Sequence, residues 1–178
     1  VLALAKIRKT MLTKYPFLIQ ESKSELDIVA YLHQREVSSI IQLWKVRYIN
    51  KSKCSFRALM EYCDKGTLHE YTQQDISLSE RRKICLSVLE AVASMHEAGV
   101  CHLDLKPTNI FFRKIFRHAM VRLGDFGSAK HFERSLPSFS GFCSTYPAPE
   151  MHLHHAHHEK TSVTPALDLW ALAELLYF

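Results

Sequence analysis

The chain has 178 residues, 47% hydrophobic and 23% charged, with a formal net charge of +5, enough apolar material for a globular core in one domain or two small lobes. Its Lys and Arg are scattered with no run of five, which favours a phosphate-bearing substrate or a mildly basic surface over a nucleic-acid partner. The cysteines (Cys54, Cys63, Cys85, Cys101, Cys143) are odd in number and form no CxxC pair, which argues against a disulfide framework or zinc knuckle and for a reducing, cytoplasmic environment, with the nucleus left open.

No stretch of eighteen apolar residues occurs, and in the opening VLALAKIRK the charges follow the apolar residues, so neither a membrane span nor a signal peptide is expected. Alternation of Leu2, Leu4 and Lys6 against Ala3, Ala5 and Ile7 predicts a strand, and Leu26, Val29 and Leu32 predict a helix over 22–33. Ser22 and Glu25 have the spacing of a capping box at its start. Segments 40–43, 44–49 and 55–61 read as short strands, the last two separated by a polar turn.

From Ser77 the pattern turns helical: Ser77 and Glu80 form a capping pair, Ile84, Val88, Val92 and Met95 recur near helical period, and Gly99 supplies a stop. That helix leads into HLDLKPTN at 102–109, then two short strands over 110–112 and 120–123 around a basic turn. An irregular stretch over 128–144 is long enough to be functional and precedes Tyr146-Pro147-Ala148-Pro149-Glu150. His152, His154, His155, His157 and His158 could bind Zn²⁺ adventitiously but suit a surface loop. Residues 166–178 are apolar and helical in character, and no repeat is found.

The chemistry concentrates in HLDLKPTN and in Asp125-Phe126-Gly127, sixteen positions after Asn109. Phosphoryl transfer needs metal ions bridging phosphates, a cation on phosphate oxygens and a group orienting the attacking hydroxyl. Asp104 is the candidate base, Lys106 the candidate cation, and Asn109 and Asp125 are hard oxygen ligands suited to Mg²⁺. Gly127 is expected to give the backbone freedom after the metal-binding Asp.

With these motifs the chain resembles a eukaryotic-type protein kinase. Ala5-Lys6 resembles the family's Val-Ala-Ile-Lys strand, with Glu25 nineteen residues later on the next helix; Leu59-Met60-Glu61-Tyr62-Cys63 resembles the segment joining the lobes. Ala148-Pro149-Glu150 matches the motif closing the activation segment, and Asp168-Leu169-Trp170 resembles the start of the large lobe's central helix.

The resemblance covers essentially the whole chain and implies an α+β, bilobal kinase-like fold: a partial kinase domain with a truncated small antiparallel sheet lobe (1–60) and a truncated, mainly helical large lobe (61–178). It implies that Lys6, held by Glu25, contacts the ATP phosphates, that Met60 is the gatekeeper, and that the Glu61 and Cys63 backbones meet adenine. It further implies that Asp168 braces the catalytic loop, and that Leu43, Val29, His102 and Phe126 stack as a packing column.

ATP and Mg²⁺ are the implied cofactors and a protein the implied substrate, while the oligomeric state is not fixed by the sequence. Lys106 favours Ser/Thr over Tyr kinases. No GxGxxG precedes Lys6, and the helices usual after Asp168 are missing, which makes a fragment the expectation. Leu103 stands where the family usually has Arg, so control by activation-segment phosphorylation is not expected, and Cys143 stands near a usual Thr. The alternative is a pseudokinase or scaffold that keeps the fold without turnover; a small-molecule kinase fits Lys106 and Ala148-Pro149-Glu150 less well.

Overall fold

Strands β1 (Leu2–Lys6), β2 (Leu43–Asn50) and β3 (Ser55–Glu61) form an antiparallel sheet in the order β1-β3-β2. The computed structural model describes residues 2–6, 16–50, 55–115, 118–132, 144–151 and 162–177, with side chains for 25–46, 58–71, 73–113, 120–132, 144–151 and 162–177. The strands expected over 40–43 and 44–49 are corrected to one strand, β2, with a register shift between Leu43 and Lys45. The extra residue, Trp44, is 48% exposed. A bulge interrupts the alternation of faces, which is why the sequence reads as a break there. Ile40 instead makes a parallel bridge to Leu123 in the other lobe.

Helix α1 (Pro16–Gln34) starts earlier than the 22–33 expected. Pro is pre-organised for a first helical position, a signal that the apolar periodicity does not carry. Its Ile28, Val29 and Leu32 are buried. The short helix α2 (Leu68–Thr72), absent from the expectations, opens with the Glu70 carboxylate accepting the Thr67 N–H at 2.6 Å.

Helix α3 (Leu78–Glu97) forms as expected: the Ser77 hydroxyl accepts the Glu80 N–H, Val88, Ala91, Val92 and Met95 are buried, and Gly99 ends the helix at φ 78°. Only glycine adopts that left-handed conformation without a steric cost. The tiny sheet of β4 (Val100–Cys101) and β7 (Lys130–His131) flanks the hairpin of β5 (Ile110–Ile115) and β6 (His118–Leu123), which is longer than the two strands expected. A 3₁₀ turn over Pro107–Asn109 leads into β5. The last described helix, α4 (Pro165–Leu176), buries Leu167, Asp168, Ala171, Leu172 and Leu175.

One apolar core joins these parts. Ile28, Val29, Leu32 and Ile40 pack in the same buried cluster as Val92, Met95, Phe112, Leu123, Phe126 and Leu172. Full burial of such a side chain contributes about 1.5–3 kcal/mol, so α1 is held to the helical lobe by several comparable contacts. Backbone bonds reinforce it: the Ile41 N–H donates to the Leu123 carbonyl and the Leu123 N–H to the Ser39 carbonyl, both at 2.8 Å.

Candidate active site

The loop after β4 is built on one buried carboxylate. Asp168 of α4, 0% exposed, accepts the His102 N–H and the Leu103 N–H at 2.7 Å each and His96 Nε2 at 2.8 Å. Donors on both oxygens offset the cost of taking a carboxyl group out of water. The expected brace is therefore present. Cys101 lies beside it; burial first and the Asp168 charge second push its thiol far up. His96, Cys101 and Asp168 are the one group of metal-ligating types drawn together among the described residues, but the donors already on Asp168 make it a structural brace.

His102 faces the opposite side of the loop. Its Nε2 donates to the Gly124 carbonyl at 3.1 Å, and its ring lies 5.0 Å from that of Phe126. Val29 and Phe126 belong to one buried cluster that Leu43 packs against, and of the expected column the His102–Phe126 contact is formed. The 102–109 loop and the Asp-Phe-Gly segment are thus tied by a hydrogen bond and a ring contact.

Asp104 is 8% exposed. Its Oδ2 meets Lys106 Nζ at 2.6 Å, and Asn109 Nδ2 donates to the Asp104 carbonyl at 2.9 Å and to Oδ2 at 3.4 Å. Its Oδ1 is buried with no partner among the described residues. A buried acceptor left unpaired is costly unless something else arrives to use it. The Asn109 amide nitrogen being engaged, its Oδ1 is left as a donor to a cation, and the Asn109 carbonyl accepts the Gly124 N–H at 3.0 Å, which sets Asn109 beside the residue before Asp125.

Asp125 is exposed and has φ 62°, whereas Gly127 is not among the residues with positive φ. The freedom expected of Gly127 is therefore corrected: the unusual backbone falls on Asp125 itself. A short polar residue tolerates that region best among non-glycines. Gly124 is needed for space, because a Cβ there would lie 2.5 Å from Ile41 Cδ1 and 2.9 Å from Phe111 Cε2.

Glu25 comes to this site from α1. Burial first and the Asp125 charge second push its carboxyl up to about 7, against a hydrogen bond from the Phe126 N–H. The capping role for Ser22 and Glu25 is corrected, since α1 begins at Pro16 and Ser22 lies within the helix. Lys6 ends β1 with its Cα paired to Arg57. Its side chain, and hence the pairing with Glu25, lies outside the described residues, as do Cys143 and His152 to His158.

At the junction of the lobes Met60 pairs with Ala3 and Leu43. The Glu61 N–H donates to the Gln42 carbonyl at 2.8 Å. Sequence reasoning missed the Glu61 side chain. It is 4% exposed and ion-paired to Arg122 at 3.0 Å and to Arg113, with the Gln42 N–H at 3.2 Å. Burial alone would raise its carboxyl, but Arg113, the Gln42 N–H and Arg122 together hold it below the ordinary 4.5. Cys63 is half-buried, and burial followed by the Glu61 charge pushes its thiol up to about 11.

A small antiparallel sheet joined to a mainly helical lobe, with Asp104, Lys106 and Asn109 gathered on one loop, is an arrangement of the protein-kinase-like class. The chain belongs to the protein kinase domain family, which it matches over residues 3–178. It is 29% identical to human NUAK family SNF1-like kinase 1 over 99% of the chain and 25% of that protein. It is 31% identical to serine/threonine-protein kinase SSN3 of Gibberella moniliformis over 91% of the chain and 36% of that protein. With cyclin-dependent kinase F-3 of rice (Oryza sativa subsp. japonica) it shares 30% identity over 92% of the chain and 36% of that protein. The chain thus spans about a quarter to a third of these relatives' lengths. Among the described residues no helix is long and apolar enough to cross a membrane.

Proposed function

We propose that this chain carries the catalytic centre of a protein serine/threonine kinase that moves the γ-phosphoryl group of ATP to Ser/Thr hydroxyls of protein substrates. The observation that carries this reading is the cluster that one loop builds on the Asp104 carboxylate, with Lys106 Nζ at 2.6 Å from Oδ2 and Asn109 Nδ2 at 3.4 Å. An incoming hydroxyl donates to the Asp104 carboxylate, which orients its oxygen for attack and accepts its proton. Lys106 places an ammonium where the transferred phosphoryl carries negative charge, a group suited to a Ser/Thr-directed loop.

The chemistry of Asn109 Oδ1 and the exposed Asp125 carboxylate fits Mg²⁺, a hard cation that takes one or two protein oxygens. An ion held by these two residues would supply charge neutralisation to the phosphates. Lys6 with Glu25 would order the α/β-phosphates, Met60 would line the adenine site, and the Glu61 carbonyl and Cys63 backbone would meet the base. The free thiols of Cys63, Cys85 and Cys101 suit a reducing intracellular setting.

The test is ATP-dependent phosphorylation of a protein mixture by the full-length natural protein containing this chain, repeated with Asp125→Asn. Turnover that collapses with Asp125→Asn supports the reading. Turnover unchanged by that substitution overturns the metal-ligand role, and intact nucleotide binding without any turnover assigns the protein to the scaffold class instead.

A further inference from the structure

Leu103, the residue before Asp104, has φ 66° and is 4% exposed. An aliphatic residue in the left-handed region is held there only where surrounding structure over-determines it. Here the Leu103 N–H is pinned to Asp168 Oδ1 at 2.7 Å, and its side chain belongs to a buried cluster with Cys101, Ala148, Met151, Val163 and Leu167. This cluster is separate from the main core. Within residues 144–151, Ala148 and Met151 are the two buried positions, and both enter it. The cluster members carry no charge, so neither salt nor a phosphate is needed to hold them together.

We propose that Leu103 is a positioning residue that seats the 144–151 segment against the 102–109 loop by apolar burial, holding that segment in register with Asp104 and hence, in the kinase reading, with the protein substrate. The role in substrate placement rests on the kinase reading above. One peptide bond separates Leu103 from the candidate base, so the register between base and segment is set at this residue.

Hydrogen exchange read by mass spectrometry tests the seat without requiring activity. Leu103→Ala is expected to speed exchange over 144–151 by about tenfold while peptides of α3 change by less than about twofold, and Leu103→Met to restore protection. Met151→Ala, on the other side of the cluster, should open the same segment, and it decides the matter if Leu103→Ala does not fold. Equal acceleration in α3 and 144–151, or unchanged exchange over 144–151, overturns the proposal. So does loss of that protection when the wild type is treated with a broad-specificity phosphatase. In the full-length protein Leu103→Ala should raise the protein-substrate KM about fivefold with the ATP KM within about twofold, and an equal rise in both overturns the positioning role. Absence of all wild-type phosphorylation would sink the kinase reading, while the exchange result still decides the seat.

Discussion

Asp104 and Glu61 are both buried carboxylates facing cations, yet they differ in what is left over. Asp104 keeps one oxygen without a partner among the described residues, whereas Glu61 has Arg113 on one oxygen and Arg122 with the Gln42 N–H on the other. The Glu61 carboxylate is thus closed on both oxygens, as a scaffold pair is, and the Asp104 carboxylate on one. Asp104→Asn preserves shape but removes the proposed proton acceptor, so kcat for phosphoryl transfer should fall by about 10²–10⁴ with nucleotide affinity retained, measured by steady-state kinetics beside direct ATP binding.

Glu61 predicts a pH effect whose sign follows from its depressed carboxyl. Its contribution to stability is present in full above the ordinary 4.5 and is lost as pH falls below that value through the folded-state pKa. Denaturant midpoints of the wild type should therefore drop below pH 4.5 more steeply than those of Glu61→Gln. At neutral pH Glu61→Gln should itself be less stable by about 3 kcal/mol, because Arg122 loses its counter-charge in a buried position. Parallel profiles for the two proteins would show that the network contributes nothing. Asp104 was legible in the sequence because Lys106 and Asn109 lie within five residues of it. The Glu61 network was not, because Arg113 and Arg122 are 52 and 61 positions away.

At the scale of elements, local signals were read well where they were self-contained. Helix α3 has its cap, its stripe and its glycine stop in sequence, and all three operate. Strand β2 did not read as one strand, since whether Trp44 breaks it or bulges out depends on β3 across the sheet. Helix α2 is five residues long, too short for periodicity to register. Packing between elements was likewise invisible: Gly124 follows β6 with Ile41 and Phe111 closing on it. Gly124→Ala forces these side chains to move, and overpacking of this kind typically costs about 1–3 kcal/mol. Urea melts should register that loss, and a second change, Ile41→Val, should recover part of it by clearing the Cδ1 that the new methyl would strike. A Gly124→Ala protein as stable as wild type would mean that the Ile41 and Phe111 side chains turn aside at no cost.

Across the whole molecule, one side chain connects the helical lobe to the candidate site. Asp168 sits on α4, binds His96 near the end of α3, and holds the backbone of His102 and Leu103, whose next residue is Asp104. The sequence announced this Asp through a family pattern, but its three donors come from positions 65 to 72 residues upstream and only folding collects them. Asp168→Asn keeps the volume and replaces an acceptor with an NH₂ donor, setting two donors against each other in a site with no water access. Leaving a buried charged-group hydrogen bond unmade costs about 1–3 kcal/mol each, so a loss of about 3 kcal/mol and a Tm lower by about 6–12 °C are expected for a chain of this size. His96→Ala removes one donor and leaves the two backbone N–H groups on Asp168, so its Tm should fall by only about 2–4 °C. Thermal melts of the two variants separate the possibilities. If His96→Ala proves as damaging as Asp168→Asn, the His96 contact rather than the backbone pair holds the loop, and Asp104 is positioned from α3 instead of α4.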